Sequence, residues 1–105
     1  MMNYDKIPVQ RMVGAMRRYL EHGLVPGHFL TAVLSNDLME AAGRADDENR
    51  AALFDWVKWL YNEAPRGSFG SPEAVKAWLE YRQHAAHARE LDASYDQIRG
   101  GTEAE

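Results

Sequence analysis

Glu80, His84 and His87 fall at i, i+4 and i+7, with Glu90 close to the same line. Helical stacking would aim a carboxylate and two imidazoles together, and these are proper ligands for zinc, manganese or iron. One helix cannot close a tetrahedral shell, however, and no H-E-x-x-H pattern supplies a general base. The cluster sits in an alanine-rich stretch and reads as a solvated helix face. No metal site and no cofactor are expected.

Arg66, Gly67, Ser68, Phe69, Gly70 and Ser71 precede a helix start. Backbone N–H groups, two hydroxyls and an arginine could hold a phosphate there, although no strand or Lys-Ser/Thr ending makes it a P-loop. His22 and His28 flank the turn 23–27, and each could titrate near neutrality or meet an anion. His22 also suits the negative end of a helix dipole without any further role. Asn36, Asp37, Glu40, Arg44, Asp46 and Asn49 form a dense polar run. Its spacing is that of caps and an i, i+4 ion pair rather than of an acid–base pair across a cleft. No catalytic residues are assigned.

The elements that must position these groups are helical. Pro8 suits a first helical position, and Val9, Met12, Val13, Met16 and Leu20 recur on one face until Gly23 stops the helix. Phe29, Leu30, Val33 and Leu34 form a second short helix. Asp37 and Glu40 have capping-box spacing for a continuation that Gly43 ends. Asp46 caps the clearest helix, with Leu53, Val57, Leu60 and Tyr61 as its expected core stripe and Pro65 beyond its end. Phe54, Trp56 and Trp59 lie off that stripe, so this helix is apolar over much of its circumference. Such a helix is central in a core or covered by a second subunit. Ser71, Pro72 and Glu73 open the last helix, packed by Val75, Trp78 and Leu79. Its second half keeps only Leu91, Tyr95 and Ile98 at i, i+4, i+7 among charges and alanines.

Composition agrees with a single helical domain. The chain has 105 residues, 46% hydrophobic and 27% charged, with three Trp, five Tyr and three Phe. That is apolar mass enough for one core. Without cysteine there is no disulfide, thiolate metal site or cysteine nucleophile. A net charge of −4 argues against a general nucleic-acid binder. No apolar run is long enough for a membrane span and no signal peptide is visible, so a cytoplasmic protein is expected. The charge is uneven: Lys6, Arg11, Arg17 and Arg18 stand early, while Asp37, Glu40, Asp46, Asp47 and Glu48 stand in the middle. The two segments are expected to face each other, within one fold or across subunits; a pairing of the acidic run with Arg17 or Arg18 would explain the asymmetry without function. The fold class is all-α, a compact four- to five-helix bundle over residues 1–99. Residues 81–99 form a longer C-terminal helix that projects or pairs, and residues 100–105 form a flexible tail.

The string RYLEHGLVPGHFLTAVLSNDLMEAAGRADDEN from Arg18 to Asn49, followed by ALFDWVKWLYNEAP and GSPEAVKAWL, resembles a family of small proteins of unassigned function from tailed bacteriophages and prophages. The shared pattern is approximately R-Y-x-E-x-G-x-x-P-G-x-F-L, then N-D-L, R-A-D and G-S-P. Arg18, Tyr19, Glu21, Gly23, Pro26, Gly27, Phe29, Asn36, Asp37, Asp46, Ser71 and Trp78 are among the residues that match it. The likeness covers about residues 7–80. It implies an accessory protein of a phage-infected bacterial cell that works by binding, and it assigns no activity.

These readings converge on a non-catalytic binding protein that forms a homo-oligomer. One form captures an anionic, nucleotide-like ligand at a subunit junction in a counter-defence role. Arg17, Arg18, His22, Arg66, Ser68 and Ser71 would supply positive charge and donors, and Phe69 or a tryptophan would stack on the base. The alternative is an inhibitor or adaptor that binds a host or phage protein through exposed aromatics. Trp56, Trp59, Leu91 and Tyr95 are the expected interface residues.

Overall fold

Caps decide where this chain turns. In the computed structural model, which describes residues 2–85, helix α1 (Val13–His22) stops because Gly23 takes a φ of +69°. That left-handed residue lets the N–H groups of Gly23 and Leu24 close on Tyr19 and Arg18 carbonyls. After a short corner comes α2 (His28–Leu34). Helix α3 (Leu38–Arg44) opens with the Asp37 carboxylate accepting the Glu40 N–H at 3.1 Å. Asp46 does the same for α4 (Asp47–Ala51), accepting the Asn49 N–H at 2.8 Å. Helix α5 (Leu53–Glu63) follows directly. The Ser71 hydroxyl accepts the Ala74 N–H at 3.0 Å and starts α6, which covers residues 72–85. Three 3-10 turns, Tyr4–Lys6, Gln10–Met12 and Arg66–Ser68, complete the path. There is no strand among the described residues, and the fold is an all-α bundle.

Several expected boundaries move, each for a local reason. Pro8 does not open α1. Ile7 ahead of it is extended, as a residue before proline prefers, and Ile7 and Val9 both turn into the core. The Gln10 amide donates to the Ile7 carbonyl at 2.7 Å and closes this N-terminal strap. Gly43 does not end α3, which runs one residue further to Arg44 and closes with the Ala45 N–H on the Ala41 carbonyl at 3.1 Å. The helix expected after Asp46 breaks at Ala52 (φ −99°, ψ 10°), so it is two helices of different phase. The acidic run is met by Arg11 rather than by Arg17 or Arg18: its guanidinium binds Asp46 and, at 3.0 Å, Glu48. The Asn49 N–H, with Arg11 behind it, holds the Asp46 carboxyl below its ordinary pKa.

The change of phase at Ala52 decides the core. Leu53, Trp56, Trp59 and Leu60 are buried on α5, while Val57 and Tyr61 of the expected stripe face outward. Around them pack Met16, Tyr19 and Leu20 of α1, Leu30 and Leu34 of α2, Ala41 of α3 and Val75 of α6. Each buried indole meets an acceptor. Trp56 Nε1 donates to Asn49 Oδ1 at 3.0 Å, Trp59 Nε1 to the Asn3 carbonyl at 2.9 Å, and the half-buried Trp78 Nε1 to the Tyr19 carbonyl at 3.2 Å. Asn49 is itself buried, with its N–H on the Asp46 cap and its side-chain oxygen on Trp56. Asn49→Ala leaves the Trp56 N–H inside without an acceptor, which costs about 2 kcal/mol. Urea unfolding is expected to show that loss with an unchanged slope.

Candidate functional site

The residues expected to hold an anion do not assemble around one space. Ser68 is wholly buried; its hydroxyl donates to the Pro65 carbonyl at 2.6 Å, and its carbonyl accepts the Tyr19 hydroxyl at 2.8 Å. Both polar ends of Ser68 therefore hold the 3-10 turn against α1, which corrects its assignment as a ligand donor. Ser71 is spent on its cap. Arg17 lies over the Tyr4 ring, 4.6 Å from its centroid, and 3.9 Å from Glu21. Arg18 is exposed, with its guanidinium lying along Gly14. His22, His28 and Arg66 are exposed, and Phe69 is half-buried. Glu80 and His84 are exposed on α6, whereas His87, Leu91 and Tyr95 lie outside the described residues. Trp56 and Trp59, expected to face a second subunit, are 0% and 3% exposed and belong to the core.

Two concave regions stand on opposite flanks of α5. On one side Lys6, Pro8, Asp55, Lys58, Asn62 and Glu63 surround a cleft of ≈ 530 Å³ floored by Trp59. Its charges are of both signs, and Glu63 already holds Lys6 at 3.8 Å and the Asn3 N–H at 3.0 Å. On the other side lies an apolar groove of ≈ 200 Å³ between α2, α5 and the turn before α6. Val33, Val57, Leu60, Tyr61 and Phe69 line it, with the Asn36 amide and the Tyr61 hydroxyl as its polar side-chain groups. A pit of ≈ 40 Å³ shares Val33, Asn36 and Val57 and extends the groove to Leu38 of α3.

The groove is shaped by a local backbone requirement. Asn36 has a φ of +63°, a left-handed conformation that asparagine tolerates better than most residues. This lets the Asp37 N–H return to the Ala32 carbonyl at 2.9 Å, so α2 ends and α3 begins within three residues. Leu38 and Met39 are thereby carried to the surface, Met39 at 85% exposure. On α5, Phe54 and Tyr61 are 76% and 78% exposed, and Val57 between them is also exposed. Of these five, Val57 and Tyr61 line the groove and Leu38 and Val57 the pit, while Met39 and Phe54 add exposed apolar side chains to the same two helices. The sequence carries two equivalent stripes on α5, Leu53/Trp56/Leu60 and Phe54/Val57/Tyr61, both at i, i+3, i+7. Periodicity alone cannot rank them. The signal that could have done so is the pair of indole N–H groups, which need Asn49 and the N-terminal strap.

That strap is held by a second cluster absent from the sequence reading. Tyr4 stands between Arg17 and Trp59, with ring centroids of Tyr4 and Trp59 6.1 Å apart, and its hydroxyl donates to Glu21 at 2.9 Å. Burial first, then the Glu21 carboxylate, push the Tyr4 phenol up to about 12. Burial likewise raises Tyr19.

Comparison with known protein families, curated proteins and solved structures returns no match.

Because the folded-state value of Tyr4 lies above its unfolded value of 10.0, the unfolded chain releases this proton first as pH rises. The contribution of Tyr4 to stability is therefore complete below pH 10 and lost as pH climbs toward about 12. Denaturant unfolding across that window should show the wild-type chain losing stability more steeply than Tyr4→Phe. Parallel curves would show that the strap does not depend on this phenol.

Proposed function

We propose that this chain is a non-catalytic protein-binding module, an inhibitor or adaptor, whose recognition surface is the apolar face of α3 and α5. One observation carries the reading: Val57 and Tyr61 of α5 line a groove in which the Asn36 amide and the Tyr61 hydroxyl are the polar side-chain groups, and Phe54 stands exposed on the same helix. Contiguous apolar surface of this kind on a small domain is a mark of protein association, and a groove with helical-spaced anchors suits an amphipathic helix. Tyrosine is enriched among the residues that dominate binding energy, which makes Tyr61 the expected anchor.

Capture of a nucleotide-like anion has less to stand on. Ser68 is engaged with Pro65 and Tyr19, and Ser71 with its helix. The larger cleft mixes Lys6 and Lys58 with Asp55 and Glu63, and none of the seven residues first expected to bind the anion lines it. The resemblance to small phage and prophage proteins directs the search for a target toward host or phage proteins, and a counter-defence role belongs to the same proposal.

Affinity capture from bacterial lysate, quantified by mass spectrometry, tests the reading. Tyr61→Ala is expected to weaken capture of a specific target about 30-fold, the equivalent of about 2 kcal/mol for an anchor residue. Arg66→Ala should leave capture unchanged. Capture indifferent to Tyr61, or stabilisation by a nucleotide that disappears in Arg66→Ala, would overturn the proposal.

A further inference from the structure

The cleft of ≈ 530 Å³ on the other flank of α5 takes no part in the apolar face. One wall is the N-terminal strap, through Lys6 and Pro8, and the other is α5. Three contacts fix the walls to each other. Trp59 Nε1 donates to the Asn3 carbonyl at 2.9 Å, the Asn3 N–H donates to the Glu63 carboxylate at 3.0 Å, and Lys6 stands 3.8 Å from that carboxylate. The cleft is thus formed in advance of any ligand. Its volume falls within the range of about 300–1,000 Å³ usual for small-molecule sites.

Asp55, Lys58 and Asn62 line the cleft at i, i+3 and i+7 of α5, and all three are exposed. The ion pairs among the described residues include Lys6 and Glu63 but neither Asp55 nor Lys58. The helix wall therefore presents one anion and one cation without a protein counter-ion among those residues. As i, i+3 neighbours their Cβ atoms stand about 5–6 Å apart. Together with Lys6 and Glu63, the lining charges sum to zero. A phosphate or nucleotide would meet Asp55 and Glu63 as well as the lysines, and a net cation would meet the lysines. A zwitterion answers both signs.

Spacing selects among zwitterions. The ends of an extended dipeptide stand at most about 7 Å apart, which suits the interval from Asp55 to Lys58. A free amino acid carries both charges on one carbon and spans less of it. Pro8 and the Trp59 floor offer apolar surface to a side chain, and the Asn62 amide both donates and accepts, as a peptide bond requires.

We infer that this cleft is a second binding site, for a short zwitterionic peptide of dipeptide size, with its ammonium group at Asp55 and its carboxylate at Lys58. The site lies across α5 from the protein-binding face and does not rest on that reading.

Calorimetric titration of the full-length chain with alanyl-leucine tests this, with two-dimensional NMR to locate the site. Saturable binding is expected, with shifts at the Trp59 indole N–H and at the Lys58 and Asn62 amides. Acetylating the peptide's amine, or amidating its carboxylate, should each weaken binding about five-fold. Asp55→Asn should weaken the free peptide by the same factor and leave the acetylated one unchanged. Lys58→Gln should do so for the free and the amidated peptide. Both positions are exposed, so circular dichroism should be unaltered, and Lys76→Gln, exposed on α6, should bind as the wild type does. No saturation by about 10 mM peptide would overturn the inference. So would shifts confined to another surface, blocked peptides or cleft variants that bind as tightly as the free peptide and wild type, or leucine matching the dipeptide. Lysate capture through Tyr61 reads the other flank, so either proposal can fail alone.

Discussion

A tryptophan can enter a small core only if its N–H finds an acceptor there, because an unpaired buried donor costs on the order of 1–3 kcal/mol. This chain sends two tryptophans fully inside and a third halfway, and their acceptors organise the molecule. Trp56 needs Asn49, so the short α4 must be capped by Asp46 and set out of phase with α5. Trp59 needs the Asn3 carbonyl, so the N-terminal strap must lie across α5. Trp78 needs the Tyr19 carbonyl, so α6 must dock along α1. Tyr19 in turn sends its hydroxyl to Ser68 and fixes the turn that leads into α6. Four distant parts of the chain are thus registered by four donors.

The same constraint determines what remains outside. With Trp56 and Trp59 turned inward, α5 has no rotation left that could also bury Phe54, Val57 and Tyr61. The apolar face beside the groove is therefore a consequence of satisfying the indoles. Its exposure is stable because the buried side of the helix is held by hydrogen bonds as well as by area. Function, in this account, is built on the side of a helix that the core could not use.

Much of the fold was legible because caps act locally. Gly23, Asp37, Asp46 and Ser71 work through partners no more than four or five residues away, and their roles could be read from spacing. The helix break at Ala52 carried no glycine or proline to announce it. The candidate site was legible only in outline. An apolar excess on α5 was evident, but the two stripes share one spacing, and the choice between them rests on acceptors at Asn49 and Asn3. Ser68 was misread for the same reason: it looked like a hydroxyl in an open glycine turn, whereas its partner Tyr19 lies 49 residues earlier. That Arg11, of the early basic residues, is the one that meets Asp46 is likewise not legible, because charge counts do not reveal which arginine the N-terminal strap delivers there.

The central claim is that α5 buries its tryptophans and offers Phe54 and Tyr61. Hydroxyl-radical footprinting, read by mass spectrometry, measures this side chain by side chain. The account predicts rapid labelling of Met39, Phe54 and Tyr61 and strong protection of Trp56 and Trp59. Tryptophans labelled as fast as Tyr61 would place the opposite face of α5 outward and contradict it.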